Sequence, residues 1–150
     1  MFAPDLLSGR VALVTGASSG IGRHCARLFA RHGVTIVVAA RRESELAAVA
    51  GAIVASGGRA QVVTLDVRNP QSVEAAIAAA SERAGALDIV VNNAGVALTR
   101  PAIETREDEW LQVLDTNLSG AFRVARAAAQ AMAAAGTGGA IVNVASILAL

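Results

Sequence analysis

A glycine-rich turn directly after a short apolar run constrains the fold of this chain more than any other feature. The apolar residues 11–14 lead into the sequence TGASSGIG at residues 15–22, and a helical pattern follows. Gly16 allows a tight turn, Gly20 lets a ligand approach the backbone, and Gly22 lets the helix pack closely on the strand. A strand–turn–helix unit of this kind is typical of an α/β domain.

Strand and helix patterns alternate along the rest of the chain. Apolar runs predict five strands, which we place at Val11–Val14, Thr35–Ala39, Ala60–Leu65, Ile89–Val91 and Ile141–Val144. Helical spacing predicts four helices, placed at Gly20–Arg31, at Glu43–Ser56, from the Asn69-Pro70 cap onward, and from Thr105 to about Ala135. Strands this apolar must be covered on both faces, which favours a parallel sheet. Right-handed crossovers then predict one α/β domain over residues 1–150, with a doubly wound parallel sheet in the order 3-2-1-4-5.

Apolar side chains at helical spacing predict which helix faces are buried. In the first helix we expect one shared apolar face, formed by Ile21, Cys25, Leu28 and Phe29. In the long last helix we expect the inward residues to be Trp110, Val113, Leu114, Leu118, Phe122 and Ala125. The sequence Thr105-Arg106-Glu107-Asp108 resembles a capping box that begins this helix.

Charge and cysteine usage exclude several classes of protein. The net charge is +1, and the basic residues, all of them Arg, are spread along the chain, which argues against a nucleic-acid binder. The single Cys25 forms no intramolecular disulfide, as is typical of a reducing compartment. We find no signal peptide, no apolar run of about 18 residues and no metal-ligand spacing. We therefore expect a cytoplasmic protein that contacts neither membranes nor nucleic acid.

The glycine turn is placed to bind an anion. Free N–H groups at the start of the following helix, together with the helix dipole, favour a phosphate. Ser18 and Ser19 could either cap the helix or bond to phosphate oxygens. A P-loop is excluded because it needs a Lys, and this chain has none. A glycine-rich turn without any ligand remains the alternative at this point.

Two arginines follow the second strand and bear on the choice of cofactor. A dinucleotide site that prefers NAD places Asp or Glu here to accept from the ribose 2′-OH. This strand ends in Ala40, followed by Arg41 and Arg42, and a guanidinium binds a 2′-phosphate. The pattern favours NADP(H) over NAD(H). The alternative is a pair of solvated arginines at a helix start.

Further polar residues are predicted at the same edge of the sheet. Asp66 follows the third strand and is placed to accept from an adenine amino group, and Asn92-Asn93 follows the fourth strand, where the pair could bridge neighbouring strands. Asn117 is expected as a buried amide within the long helix, and Ser146 ends the fifth strand. Taken singly, each also fits an ordinary role in a turn, a helix kink or the protein surface.

Taken together, the motifs are far more specific than any one of them. In order, they are TGASSGIG at 15–22, Asp66-Val67, Asn92-Asn93-Ala94-Gly95, Asp115-Thr116-Asn117-Leu118 and Ile141-Val142-Asn143-Val144-Ala145-Ser146. From Gly9 to Leu150 the chain resembles the short-chain dehydrogenase/reductase family, and within it the bacterial 3-oxoacyl-carrier-protein reductases. An S-adenosylmethionine methyltransferase of similar architecture would not need this set of motifs.

The resemblance implies a Rossmann-type fold with a nicotinamide cofactor, NADP(H), across the carboxyl edge of the sheet. The implied cofactor-binding residues are Gly16, Ser18, Ser19, Gly20, Ile21, Gly22, Arg41, Arg42, Asp66, Val67, Asn93, Ala94 and Gly95. Among them the glycine turn would hold the pyrophosphate, Arg41 the 2′-phosphate, and Asp66 with Val67 the adenine. Asn117 and Ser146 match the family's catalytic Asn, which holds a water in a proton relay, and its catalytic Ser, which stabilises the reacting oxygen.

One departure from the family pattern is large. The family's general acid is a Tyr in a Tyr-x-x-x-Lys motif shortly after the position of Ser146, and this chain contains neither residue type. We therefore expect a chain that lacks the family's C-terminal helix and strands, is inactive by itself, and leaves its fifth strand as an exposed apolar edge. The longer protein would be a homodimeric or homotetrameric oxidoreductase that transfers hydride between NADP(H) and a carbonyl/alcohol substrate. The alternative is a non-catalytic cofactor-binding module or inactive subunit.

Overall fold

A computed structural model describes residues 6–146, which form alternating strands and helices. The strands are β1 Val11–Thr15, β2 Thr35–Ala40, β3 Arg59–Thr64, β4 Ile89–Asn92 and β5 Ala140–Asn143. The helices are α1 Gly20–Arg31, α2 Glu43–Ala55, α3 Pro70–Ala84, α4 Glu107–Leu114 and α5 Ala121–Ala135. A short 3-10 turn at Ala102–Glu104 precedes α4, and a π-helical turn at Asp115–Gly120 joins α4 to α5.

The five strands form one parallel sheet in the order β3-β2-β1-β4-β5. β1 lies at its centre, and its side chains alternate between two hydrophobic cores. Val11 and Leu13 face the core under α3 and α5, whereas Ala12 and Val14 face the core under α1 and α2. The predicted doubly wound α/β fold and its strand order are confirmed. This order places the carboxyl ends of β1, β2, β3 and β4 side by side at one edge.

Burial differs between the central strands and the two outer ones. β1 is buried throughout, and β2 and β4 nearly so, as their apolar sequences predict. β3 and β5 are edge strands with mostly exposed or half-exposed residues. Val142 of β5 is 50% exposed, so the expected exposed apolar edge is found there. Within residues 6–146, no helix is long and apolar enough to cross a membrane.

The prediction of a long helix from Thr105 to about Ala135 is confirmed in part: helical backbone runs from Glu107 to Ala135, but it is not one regular α-helix. The π-helical turn interrupts it, and each i→i+5 bond adds a residue relative to an α-helical turn, which rotates the following face. The inward residues of α5 are consequently Val124, Ala128 and Met132. Val113, Leu114 and Ala125 are half-buried, and the other three predicted inward residues are exposed: Trp110, Leu118 and Phe122.

The start of α4 also differs from the predicted capping box. The N-cap is Arg106 rather than Thr105, and the carboxylate of Glu109, not of Asp108, accepts from the backbone N–H of Arg106 at 3.1 Å. The predicted start of α3 is confirmed: the Asn69 side chain accepts from the Ser72 N–H, with Pro70 at the first helical position.

Small residues, not large ones, form the buried face of α1. Gly22, Ala26 and Ala30 are buried, while Ile21 is 63% exposed and Leu28 is also exposed. The predicted apolar face of this helix is therefore wrong for Ile21 and Leu28, whereas Cys25 and Phe29 are half-buried and Phe29 packs against the core. The reason is the close approach that Gly22 permits, because a helix this near the sheet leaves room only for small side chains.

Candidate functional site

The carboxyl ends of the strands border one cleft that gathers most of the predicted site residues. Its lining comprises Gly16, Ser18, Ser19, Ala39, Ala40, Arg41, Arg42, Leu65, Asp66, Val67, Arg68, Asn93, Ala94, Gly95, Val96 and Thr116. The remaining predicted residues lie outside this lining. They are Gly20, Ile21 and Gly22 at the start of α1, Asn117 in the π-helical turn, and Ser146 just after β5. Within residues 6–146, no three His, Cys, Asp or Glu side chains lie close enough to hold a metal ion.

The glycine turn has a backbone that other residues adopt only at a cost. Gly16 and Gly20 have φ angles of +65° and +54°. A Cβ on Gly22 would lie 2.6 Å from the carbonyl oxygen of Gly16 and 2.5 Å from Nδ2 of Asn93. Ser19 is the N-cap of α1, but its side chain makes no capping bond, so the first N–H groups of this helix lack a side-chain cap. The turn therefore brings a helix start with available N–H groups to the cleft.

Thr15 and Asn93 join the end of β1 to the loop after β4. The buried Thr15 hydroxyl accepts from the backbone N–H groups of Asn93 at 3.0 Å and Ala94 at 2.9 Å. The Asn93 side chain donates to the carbonyl of Thr15 at 3.0 Å, and the Asn92 side chain donates to Oδ1 of Asn143 at 3.0 Å. The expectation that the Asn pair bridges neighbouring strands is confirmed.

Replacing Thr15 by valine is expected to lower the free energy of unfolding by about 2 kcal/mol or more. Valine has the shape of threonine but no acceptor, so two backbone N–H groups lose their partner, each at a cost of about 1–3 kcal/mol. Urea denaturation of Thr15→Val and Thr15→Ser checks this, because serine keeps the hydroxyl. Equal stability of Thr15→Val and the unsubstituted protein would show that the hydroxyl does not fix the loop.

The two arginines after β2 differ in their surroundings. Arg42 donates to the hydroxyl of Ser18 at 3.1 Å and pairs with Glu45 at 2.7 Å. Arg41 is exposed, lines the same cleft, and forms no hydrogen bond or ion pair with residues 6–146. Of the pair, Arg41 is thus the guanidinium available to an anionic ligand, while Arg42 supports the glycine turn.

Asp66 is a paired carboxylate and not a free one. Arg68 donates to its Oδ1 through Nε at 3.1 Å and to its Oδ2 through Nη2 at 2.7 Å. These side-chain hydrogen bonds are the main reason why the pKa of Asp66 is lowered from its ordinary value. Because the folded-state pKa is the lower one, the ionised carboxylate stabilises the fold above about pH 4, and this contribution is lost as the pH falls further.

Asn117 holds the loop after β4 with both ends of its amide. Its Oδ1 accepts from the N–H of Val96 at 2.9 Å, and its Nδ2 donates to the Val96 carbonyl at 2.8 Å. The residue is exposed, so the prediction of a buried amide is wrong: it lies in the π-helical turn, outside the packed face of the helix. Arg123 supports this turn by pairing with Asp115 at 2.8 Å.

Ser146 follows β5 at the same edge of the sheet. The ladder between β4 and β5 continues past the strand end, with the Val144 N–H donating to the Asn92 carbonyl at 2.9 Å. Ser146 is exposed two residues further on. The topology therefore places Ser146 at the end of β5, beside the end of β4. The loop that follows β4 is the one that Asn117 holds through its hydrogen bonds to Val96.

Comparison with known proteins decides the family. The family model described as short chain dehydrogenase matches residues 10–150. This chain belongs to the short-chain dehydrogenase family. Its curated relatives include a 3beta-hydroxysteroid dehydrogenase of Mediterraneibacter gnavus, 42% identical over 92% of this chain and 50% of the relative. They also include a 3-oxoacyl-[acyl-carrier-protein] reductase of Vibrio cholerae, 37% identical over 95% of this chain and 57% of the relative.

Solved structures agree with this family assignment. An actinorhodin polyketide ketoreductase variant, crystallised with NADPH, matches with a TM-score of 0.87 and 40% identity, over 91% of this chain and 53% of that one. A short-chain dehydrogenase from Mycobacterium smegmatis matches with a TM-score of 0.93 and 37% identity, over 96% of this chain and 61% of that one. The chain spans about half the length of the curated short-chain dehydrogenases it matches.

Several residues of the site could be given no role from the sequence alone. Arg68, Val96 and Thr116 line the cleft, and the Thr15 hydroxyl organises the loop beside it. Of these residues, only Arg68 could have been found from the sequence, because an Asp side chain often accepts from the backbone N–H two residues further on. Asp66 does accept from the Arg68 N–H, at 3.0 Å. The roles of Thr15, Val96 and Thr116 depend on contacts between distant parts of the chain.

Proposed function

We propose that this chain forms the cofactor-binding part of an NADP(H)-dependent oxidoreductase that acts on a carbonyl/alcohol substrate. The observation that carries the proposal is Arg41, an unpaired guanidinium among residues 6–146, in the same cleft as the glycine turn. The family assignment supports the reaction class, and one similar structure contains NADPH. We also expect the protein to be cytoplasmic and to assemble as a homodimer or homotetramer.

The described residues fit such a cofactor. The start of α1, with the backbone of residues 18–22, would face the pyrophosphate, since its N–H groups are available and Gly22 leaves no side chain in the way. Arg41 would bind the 2′-phosphate in a charge-assisted way. Asp66 and Val67 would contact the adenine, and the loop from Asn93 to Gly95 would line the ribose. The bound nicotinamide supplies the hydride acceptor or donor.

The chain itself contributes two groups near the reacting atoms in this proposal. The Ser146 hydroxyl would donate to the substrate oxygen and stabilise the charge that develops there. Asn117 would act on the cofactor side, because its amide fixes Val96 and with it the loop that lines the ribose. The chain has no Tyr and no Lys, so residues 1–150 do not hold the Tyr-x-x-x-Lys pair that the resemblance implies as the proton donor.

A binding titration combined with a turnover assay tests the proposal. We expect the 150-residue chain to bind NADPH without turnover, and the protein from the complete reading frame to oxidise NADPH when given a ketone. In that protein, Ser146→Ala should lower kcat about 100-fold or more, as for loss of one oxyanion donor. A complete protein that binds NADPH but turns over no carbonyl or alcohol substrate would support the non-catalytic module, which the missing Tyr and Lys favour.

A further inference from the structure

The loop between β3 and α3 is fixed by hydrogen bonds on both sides of Asp66. The Asp66 N–H donates to the Ser72 hydroxyl at 3.0 Å, and the Asp66 carbonyl accepts from the Asn69 N–H at 3.1 Å. The preceding Leu65 N–H donates to the carbonyl of Ala40, next to Arg41, at 2.9 Å. The backbone of Asp66 is thus held between the end of β2 and the start of α3.

The Asp66 carboxylate is also held in one orientation. Its Oδ1 accepts from two groups of Arg68, the backbone N–H at 3.0 Å and Nε at 3.1 Å, while its Oδ2 accepts from Nη2 at 2.7 Å and from no other group of residues 6–146. A carboxylate oxygen accepts about two hydrogen bonds, so Oδ1 is saturated and Oδ2 retains one acceptor position. Asp66 lines the cleft with its side chain 31% exposed, which leaves that position accessible to a ligand.

We propose that Arg68 is a positioning residue that aims the remaining acceptor position of Asp66 at the amino group of an adenine base. This inference rests on the proposed NADP(H) site. An ionised carboxylate can only accept, so it pairs with an amino group and repels a carbonyl oxygen at the same place on the base. Asp66 is ionised at neutral pH as an ordinary carboxyl is, and the Arg68 guanidinium lowers its pKa further.

The consequence is selection between bases. A site built to accept from an amino group rejects an analogue that presents a carbonyl instead, because two acceptors then face each other without a proton. Without the two guanidinium bonds, the backbone N–H of residue 68 still holds Oδ1, but Oδ2 loses its bond to Nη2 and is no longer fixed toward the base. The loss of Arg68 should therefore reduce discrimination between bases more than it reduces affinity for phosphate.

The test compares NADPH with its hypoxanthine analogue, in which a carbonyl replaces the adenine amino group. Kd values for both are measured by nicotinamide fluorescence on the unsubstituted protein, Arg68→Ala, Arg68→Lys and the control Arg83→Ala. Arg83 is an exposed arginine of α3 that donates to the Val62 carbonyl and lies outside the cleft lining. Arg68→Ala keeps the backbone N–H bond to Asp66 and so removes only the guanidinium contacts.

We expect the unsubstituted protein and Arg83→Ala to prefer NADPH by about tenfold or more, the size of one hydrogen bond to a charged group. In Arg68→Ala the preference should fall to about threefold or less, and Arg68→Lys should recover overall affinity but not the preference, because lysine lacks the planar fork. The inference would be overturned if Arg68→Ala raised both Kd values equally and left the preference for NADPH unchanged. Arg68 would then act only through its charge. Circular dichroism confirms folding, and Arg68→Gln replaces Arg68→Ala if needed. Failure of the unsubstituted protein to bind either cofactor would instead contradict the proposed function.

Discussion

Replacing Gly22 by alanine is expected to lower the free energy of unfolding by about 3 kcal/mol and to abolish NADPH binding. The new Cβ would lie 2.6 Å from the carbonyl oxygen of Gly16 and 3.0 Å from its carbonyl carbon, and backbone atoms cannot move aside as a side-chain end can. Forced overpacking of this kind costs about 1–3 kcal/mol or more. Because the clash is with the glycine turn itself, α1 must move away from the place where the pyrophosphate is expected. Urea denaturation and NADPH titration measure the two effects.

Gly51 provides a matched control, because it lies in a helix that packs on the same sheet. It lies within α2 with an ordinary φ angle, and among residues 6–146 no atom beyond its chain neighbours and the nearby helix backbone lies within 4 Å of a Cβ built on it. Gly51→Ala should therefore leave cofactor binding unchanged and raise stability by up to about 1 kcal/mol, the difference in helix propensity. If Gly22→Ala behaved like Gly51→Ala, the close contact between α1 and the turn would not be needed.

Replacing Arg41 by alanine is expected to weaken NADPH binding about 10- to 100-fold and to leave NADH binding nearly unchanged. The two cofactors differ only in the 2′-phosphate, and a hydrogen bond to a charged group is worth about 1.5–3 kcal/mol. Ala40→Asp should act in the same direction by placing a carboxylate beside that phosphate, and it should favour NADH. Parallel titrations with both cofactors give the ratio of Kd values directly.

Two other arginines serve as controls for this result. Arg27→Ala makes the same change in net charge at an exposed position of α1 outside the cleft lining, so it should alter neither Kd much. Arg42→Ala removes the bond to Ser18 and should weaken both cofactors to a similar extent. An NADPH-specific loss in Arg42→Ala but not in Arg41→Ala would mean that the roles of the two residues are reversed.

The architecture could be predicted from the sequence because its signals are local. Apolar runs long enough for buried strands, helical patterns between them and the handedness of crossovers together determine the strand order. The glycine turn is equally local, since the positive φ angles of Gly16 and Gly20 explain why glycine stands there. The strand boundaries differ from the predicted ones by one residue: β1, β2 and β4 extend one residue further, and β3 and β5 begin and end one residue earlier.

The helix after β4 was mispredicted because its packing is decided by tertiary contacts. Helical periodicity assumes constant α-helical turns, and the π-helical turn at Asp115–Gly120 breaks that assumption. The close packing of Gly120 on Val67 accompanies this turn, since a Cβ on Gly120 would lie 2.7 Å from Cγ2 of Val67. The same turn carries Asn117 outward to Val96, a partner that no sequence spacing identifies.

Side-chain partners at the site were the least predictable feature. The sequence placed Arg41 and Arg42 together as candidate phosphate ligands, and only the bonds of Arg42 to Ser18 and Glu45 separate them. Asp66 was expected to accept from an adenine amino group, and the structure adds that Arg68 occupies most of its carboxylate. Both outcomes depend on side-chain rotamers chosen by neighbours, which composition and periodicity do not encode.

One pair of titrations shows whether this cleft is an NADP(H) site in which Arg41 selects the cofactor. Purified protein is titrated with NADPH and with NADH under identical salt and pH, and the two Kd values are compared by nicotinamide fluorescence. We expect NADPH to bind about tenfold or more tightly than NADH. Equal or tighter binding of NADH, or no binding of either cofactor, would contradict it.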